Sequence, residues 1–271
     1  MAKTRVLITV TTYPLPSRSY DELICTAGVL ADGKWIRIYP VPLTFLEFRK
    51  YQWVELDLIE HKHRRDFRPE SRRPKYPDLS DLEVIEHLDT VQNWYERKAA
   101  CLKRVYTNMT QLIEDSKAPG NLSLAAFKPA VFRRFTVEED DREWKELWLE
   151  QLKQVDMFTG GQNQSEARIP IDKIPYKFKY QFEDDEGRSS TMTIEDWEIG
   201  ALYRNCLAAA EGDEAIAIDK VREKFETEFI EAKDLTLFLG STLDHHRKRH
   251  SNPFTIIGVF YPPKEAQQSL L

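Results

Sequence analysis

The chain has 271 residues, enough for one large domain or two small ones and for a core that needs no disulfide staples. Hydrophobic residues make up 41% and charged residues 31%, which excludes a disordered polymer and a fibrous repeat. Lys and Arg number 39 against 45 Asp and Glu, a net charge of −6, so the chain does not coat nucleic acid by bulk charge and any such contact is local.

The β-branched run Arg5–Thr12 predicts a strand, closed by the stiff Tyr13-Pro14-Leu15-Pro16. Segments 23–30 and 34–39 flank Ala31-Asp32-Gly33, whose Asp-Gly pair supplies the positive φ of a tight hairpin. Along the second of these strands Trp35, Arg37 and Tyr39 share one face and Ile36 and Ile38 the other, so the isoleucines face a core. Further strands are expected at 51–59 and 129–137. Between them lie a basic loop, 61–77, and a helical stretch, about 82–113, with Trp94, Cys101, Val105 and Leu112 near helical spacing. A second helix, about 138–155, is expected to bridge two halves, and the polar run 159–166 reads as a linker between domains 1–158 and 167–271. The second half reads as strands at 175–182 and 190–194, a helix from Glu195 to about Ala232 broken near Gly212, and strands at 235–239 and 254–260.

This pattern predicts an α+β, β-rich fold of two small barrels or sandwiches with inserted and bridging helices, not a doubly wound sheet. Cys25, Cys101 and Cys206 are too scattered for a disulfide framework or a CxxC site, and the apolar run 6–10 is shorter than a signal-peptide core, so a cytoplasmic chain without membrane segments is expected.

Two clusters stand out. Residues 61–75 hold seven bases (Lys62, Arg64, Arg65, Arg68, Arg72, Arg73, Lys75) against Asp66 and Glu70, a local charge of +5, with Phe67 and Tyr76 beside them. Guanidinium groups grip phosphate bidentately and aromatic rings stack bases, the combination of single-stranded nucleic-acid surfaces. The competing reading is a solvated loop whose arginines pair with the acidic second half, with Arg68 and Glu70 as an internal ion pair. The second cluster, His245-His246-Arg247-Lys248-Arg249-His250, lies in the loop between the last two predicted strands and completes the same surface if the loops of two barrels converge. Trp35, Arg37 and Tyr39 make a stacking platform if their strand face is open, and pack beneath the inserted helix if it is not.

A zinc site from His61, His63, His245 and His250 is disfavoured by the surrounding cations. The acids Glu195, Asp196 and Glu198 suit a helix start; the alternative is a metal-dependent nuclease using Glu195 and Glu198. Residues 138–198 carry seventeen acids and eight bases, a net −9, which suits a protein-docking adaptor better than a nucleic-acid surface. No Walker, GxSxG or Gly-rich phosphate motif is present, so no catalytic residue and no cofactor is assigned.

The segments Thr12–Gly28, Gly33–Pro42, Asp66–Pro74, Asp196-Trp-Glu198 and Ile256–Pro263 resemble a poorly characterised bacterial family with a dual OB-type domain, found near mobile elements and defence genes. The resemblance implies two OB-like barrels and a nucleic-acid or nucleotide role. The function expected is therefore a non-enzymatic accessory protein binding single-stranded DNA, RNA or a nucleotide, with a protein partner in a multi-subunit system. Its expected binding residues are Arg64, Arg65, Arg68, Arg72, Arg73, Trp35, Arg37, Tyr39, Arg247, Lys248 and Arg249.

Overall fold

A computed structural model describes residues 3–13, 15–16, 22–42, 48–60, 66, 68–144, 172–242, 245, 248 and 250–265. The fold is α+β and β-rich, and its sheets close into two barrels.

The first barrel starts as an antiparallel meander of β1 (Thr4–Thr11), β3 (Glu22–Val29) and β4 (Trp35–Pro42), with the short β2 (Leu15–Pro16) laid on the start of β3. The β3–β4 turn is the expected hairpin, with Gly33 at φ 85°. Next come β5 (Gln52–Leu56), β6 (Leu58–Ile59) and β7 (Ser71–Pro74). β5 pairs antiparallel with β1, β6 pairs antiparallel with β7, and β7 runs parallel to β4. Only Asp57 separates β5 from β6, and its N–H leaves the ladder to donate to the Asp81 carboxylate at 2.6 Å. One bent strand thus serves two partners, and the circuit β1-β3-β4-β7-β6/β5-β1 closes.

That is the connectivity of a five-stranded OB barrel. Val6, Ile8, Ile24, Ile36, Ile38, Val41, Val54 and Leu56 fill it, the two isoleucines of β4 pointing inward as the alternation requires. A bulge between Ile8 and Val10 turns Val10 to the opposite face, beside Leu7. Gly28 lies opposite Ile8, where a Cβ would fall 2.2 Å from the Leu7 carbonyl oxygen.

The second barrel repeats the order. Its first strand is split into β10 (Leu124–Phe127) and β11 (Val131–Glu139). β11, β12 (Tyr176–Glu183) and β13 (Ser189–Thr193) form an antiparallel meander. Ile194, just past β13, bridges in parallel to Ile256 of β15 (Phe254–Phe260). β15 pairs antiparallel with β14 (Thr236–Ser241), and β14 pairs antiparallel with β10, closing the ring. Between the third and fourth strands run α3 (Trp197–Ala209), α4 (Glu214–Arg222) and a π-helical segment, Glu223–Glu231, with a break at Gly212, φ 93°. Their Tyr203, Phe225 and Phe229 seal a core of Phe127, Phe135, Phe178, Tyr180, Phe182 and Leu237.

The connector between the barrels carries β8 (Glu83–His87) on the outer edge of β5, α1 (Val91–Cys101), β9 (Val105–Tyr106) parallel to β10, and α2 (Met109–Lys117). The continuous helix expected over 82–113 is therefore corrected to strand, helix, strand and the start of a second helix. Trp94, Cys101 and Leu112 are buried as expected, but Trp94 and Cys101 lie on α1, Leu112 on α2, and Val105 between them on β9. The helix expected over 138–155 begins instead as the end of β11, and 145–155 lies outside the described residues, as does the expected linker 159–166. β10 and β11, before that segment, pair with β14 and β12, after it.

The barrels share a core. Leu7, Val10, Ala27 and Val29 of the first pack with Leu124, Ala126, Phe238, Ile257 and Phe260 of the second, and Trp94 and Cys101 of the connector complete the cluster. From Val6 on, β1 is accordingly buried on both faces, which is why residues 6–11 are an unbroken apolar and threonine run.

Candidate nucleic-acid interface

In both barrels the loop between the fourth and fifth strands is basic: residues 60–70 in the first and 242–253 in the second. That loop, with the outer face of strands two and three, is where OB barrels hold oligonucleotides. Here the second barrel lies over part of that strand face. Trp35 packs edge-to-face on Phe238 of the second barrel at 5.1 Å. Arg37 is only 4% exposed and donates to the Ser123 carbonyl at 3.2 Å and to its hydroxyl at 3.0 Å. Burial also raises the Tyr39 hydroxyl pKa. Arg37 is therefore corrected from a stacking platform to a part of the inter-barrel contact, and Tyr39 is half-buried on the same strand.

Arg68 is corrected as well. It is buried, forks onto Asp66 at 2.8 and 2.6 Å, and gives its third hydrogen bond to the Ser241 carbonyl at 2.8 Å. Its partner is Asp66 rather than Glu70, whose carboxylate instead accepts from the Ser123 N–H at 2.9 Å and from the Ser123 hydroxyl. Burial alone would raise the Asp66 carboxyl, but Arg68 and the Ser71 hydroxyl outweigh it and hold it at about 2. Arg68 therefore offers no guanidinium to a ligand. It pins the end of the first basic loop to Ser241, the residue before the second basic loop.

Arg64 and Arg65 of the first loop and Arg247 and Arg249 of the second lie outside the described residues, as do His61, His63 and His246. Lys248 is exposed, and the rings of His245 and His250 lie 4.6 Å apart. Arg73 is half-buried on β7, opposite Ile59. Among the described residues no cluster of His, Cys, Asp and Glu is suited to a metal.

Arg72 and Trp35 meet in a cleft of about 510 Å³ where the β3–β4 turn, the start of β7, the connector and β10 come together. Leu124, Ala125 and Ile36 line it with Trp35, and Lys34, Lys103 and Arg104 add charge. The sequence reading missed Lys103 and Arg104, which fall inside the helix expected there. It also missed Lys50, whose Nζ lies 2.8 Å from Asp196 and 3.2 Å from Glu198 across the barrels.

Asp196 caps α3 by accepting from the Glu198 N–H at 3.1 Å, so the acids do mark a helix start. Burial pushes the Asp196 carboxyl up to about 6 against the pull of Lys50. The carboxylates raise Lys50 despite its own burial. Burial likewise raises Glu195. An ammonium already occupies the space between Asp196 and Glu198, which disfavours a dication there. In the acidic middle, Asp140 takes Lys173 and Lys177 at 2.9 and 2.7 Å, and Glu138 takes Lys179, so part of its charge is neutralised internally.

No helix among the described residues is long and apolar enough to cross a membrane. No curated protein matches the chain. A solved structure described as a murine DNA-binding protein bound with double-stranded DNA aligns over 98% of each chain at 11% identity, with a TM-score of 0.32. A family model described as a domain of unknown function, DUF8758, matches residues 2–103, which hold the first barrel, and a second, DUF8757, matches residues 105–271, which hold the other. The chain belongs to the DUF8757 family of domains of unknown function.

Proposed function

We propose that the protein binds single-stranded nucleic acid through the two basic loops that join the fourth and fifth strands of its barrels. The observation that carries this reading is the Arg68 contact to Ser241 at 2.8 Å, which roots both loops at one place. Eight Lys and Arg residues from 61–75 and 247–249, Arg68 and Arg72 aside, would then supply one surface in a chain of net charge −6. Arginine suits phosphate, and Phe67, Tyr76 and the histidines supply rings for unstacked bases. The role is that of a non-catalytic binding subunit, and the resemblance to proteins near bacterial defence and mobile-element genes is what suggests its setting.

Fluorescence anisotropy with labelled single-stranded DNA and RNA tests this. Replacing Arg64, Arg65, Arg247 and Arg249 by Ala is expected to weaken binding by at least tenfold, with less effect at high salt. Salt-independent binding, or binding unchanged in that variant, overturns the proposal.

A further inference from the structure

We infer that the cleft between the barrels is a second, separate binding site, for a nucleoside phosphate that is either free or the terminal nucleotide of a strand. Its volume of about 510 Å³ falls in the range of small-molecule sites, roughly 300–1,000 Å³. One wall is an indole: Trp35 is held by Phe238 and still borders the cavity, a fixed surface for a heterocycle.

Besides Lys34, which Asp32 neutralises, the rim carries three cations from two parts of the chain. Arg72 on β7 donates to the Pro69 and Ser71 carbonyls, both at 2.8 Å, which orients its guanidinium. Its acid partner, Glu60, is 85% exposed and 3.8 Å away, an ion pair that a phosphate displaces at little cost. Lys103 lies along Gly33, where a Cβ would come within 2.6 Å of its Cδ, and its ammonium donates to the Ala31 carbonyl at 2.6 Å. Arg104 is 71% exposed, with its guanidinium 4.9 Å from the centre of the Tyr106 ring. It is also 3.3 Å from Asp115.

The acids of the cleft are engaged elsewhere. Asp32 pairs with Lys34 at 2.9 Å, and Glu70 is bonded to Ser123. An apolar, indole-walled cavity with cations at its mouth selects a ligand with a flat ring at one end and an anion at the other. None of its residues belongs to the basic stretches 61–65 and 243–249, so the site stands or falls apart from the loop surface.

Calorimetric titration of the full chain with each nucleoside 5′-monophosphate, the matching nucleosides, inorganic phosphate, and a hexanucleotide with and without a 5′-phosphate tests the inference. At least one phosphorylated ligand is expected to bind about tenfold or more tightly than its nucleoside or phosphate alone. A free nucleotide is the ligand if the monophosphate matches the hexamer, and a strand end if the 5′-phosphorylated hexamer exceeds both the monophosphate and its unphosphorylated form. Arg72→Ala and Arg104→Ala are each expected to weaken that binding about tenfold, and Arg104 is exposed enough for its variant to fold. Arg64→Ala/Arg65→Ala is expected to leave monophosphate binding unchanged, which separates failure of this site from failure of the loops. No binding of any phosphorylated ligand at about 1 mM, or binding that survives loss of both rim arginines, overturns it.

Discussion

Replacing Arg68 by Met removes the tie between the two loop roots and strands Asp66. The Asp66 and Arg68 side chains are each 6% exposed, and the guanidinium makes two hydrogen bonds to the carboxylate and one to Ser241. Removing one partner of a buried pair costs about 3–5 kcal/mol, because the remaining charge is left without compensation. The carboxyl itself gives a partial check on that figure. Its fall from 3.8 to about 2 corresponds to about 2 kcal/mol at about 1.4 kcal/mol per unit, to which loss of the Ser241 bond adds about 1 kcal/mol.

Urea denaturation at pH 7 is the assay. Arg68→Met is expected to lose about 3 kcal/mol or more, and Arg68→Met/Asp66→Asn distinctly less, since the double variant buries no lone charge. A single-variant loss below about 1 kcal/mol, or a double variant no better than the single, refutes the reasoning. Because the folded-state carboxyl is depressed, its contribution is complete above about pH 4 and is lost as pH falls toward 2. Asp66→Asn is therefore expected to flatten the acid side of the stability profile.

Lys50→Met leaves Asp196, 1% exposed, without its cation and is expected to cost about 3–5 kcal/mol at neutral pH. A carboxyl raised by burial binds its proton more tightly when folded, so that variant should lose stability as pH rises from 5 to 8; thermal melts across that range check the sign. Gly28→Ala forces a methyl group against the Leu7 carbonyl, and a loss of at least 1–3 kcal/mol, about the cost of overpacking, is expected by denaturation. Phe127→Ala empties a fully buried site in the second barrel, and the expected cost is about 3–5 kcal/mol in the same assay.

The hairpin at Asp32-Gly33, the inward Ile36 and Ile38, and the terminal pair β14 and β15 were legible because each is a local pattern: a turn dipeptide, a period of two, an apolar β-branched run. The broken connector was not legible. Trp94, Cys101 and Leu112 all face cores, and helical spacing cannot tell one long face from several short elements that bury side chains against different partners. The covered part of the strand face was not legible for a related reason: Trp35 and Arg37 alternate identically whether water or a second barrel lies above them. Arg68 looked like any arginine of a basic loop, and its anchor Ser241 lies 173 residues away, beyond any local pattern. What the sequence did carry was the placement of charge, since both basic clusters fall between predicted strands.

The most direct test of the central claim is the salt dependence of single-stranded DNA binding in four proteins: wild type, Arg64→Ala/Arg65→Ala, Arg247→Ala/Arg249→Ala, and the combination. Each neutralised phosphate contributes about 0.7 to the slope of log K against log salt. One surface formed by both loops predicts that either pair lowers the slope by about 1.4 and that the combination lowers it by about twice that. A slope that responds to one loop and ignores the other, or to neither, contradicts a shared nucleic-acid surface.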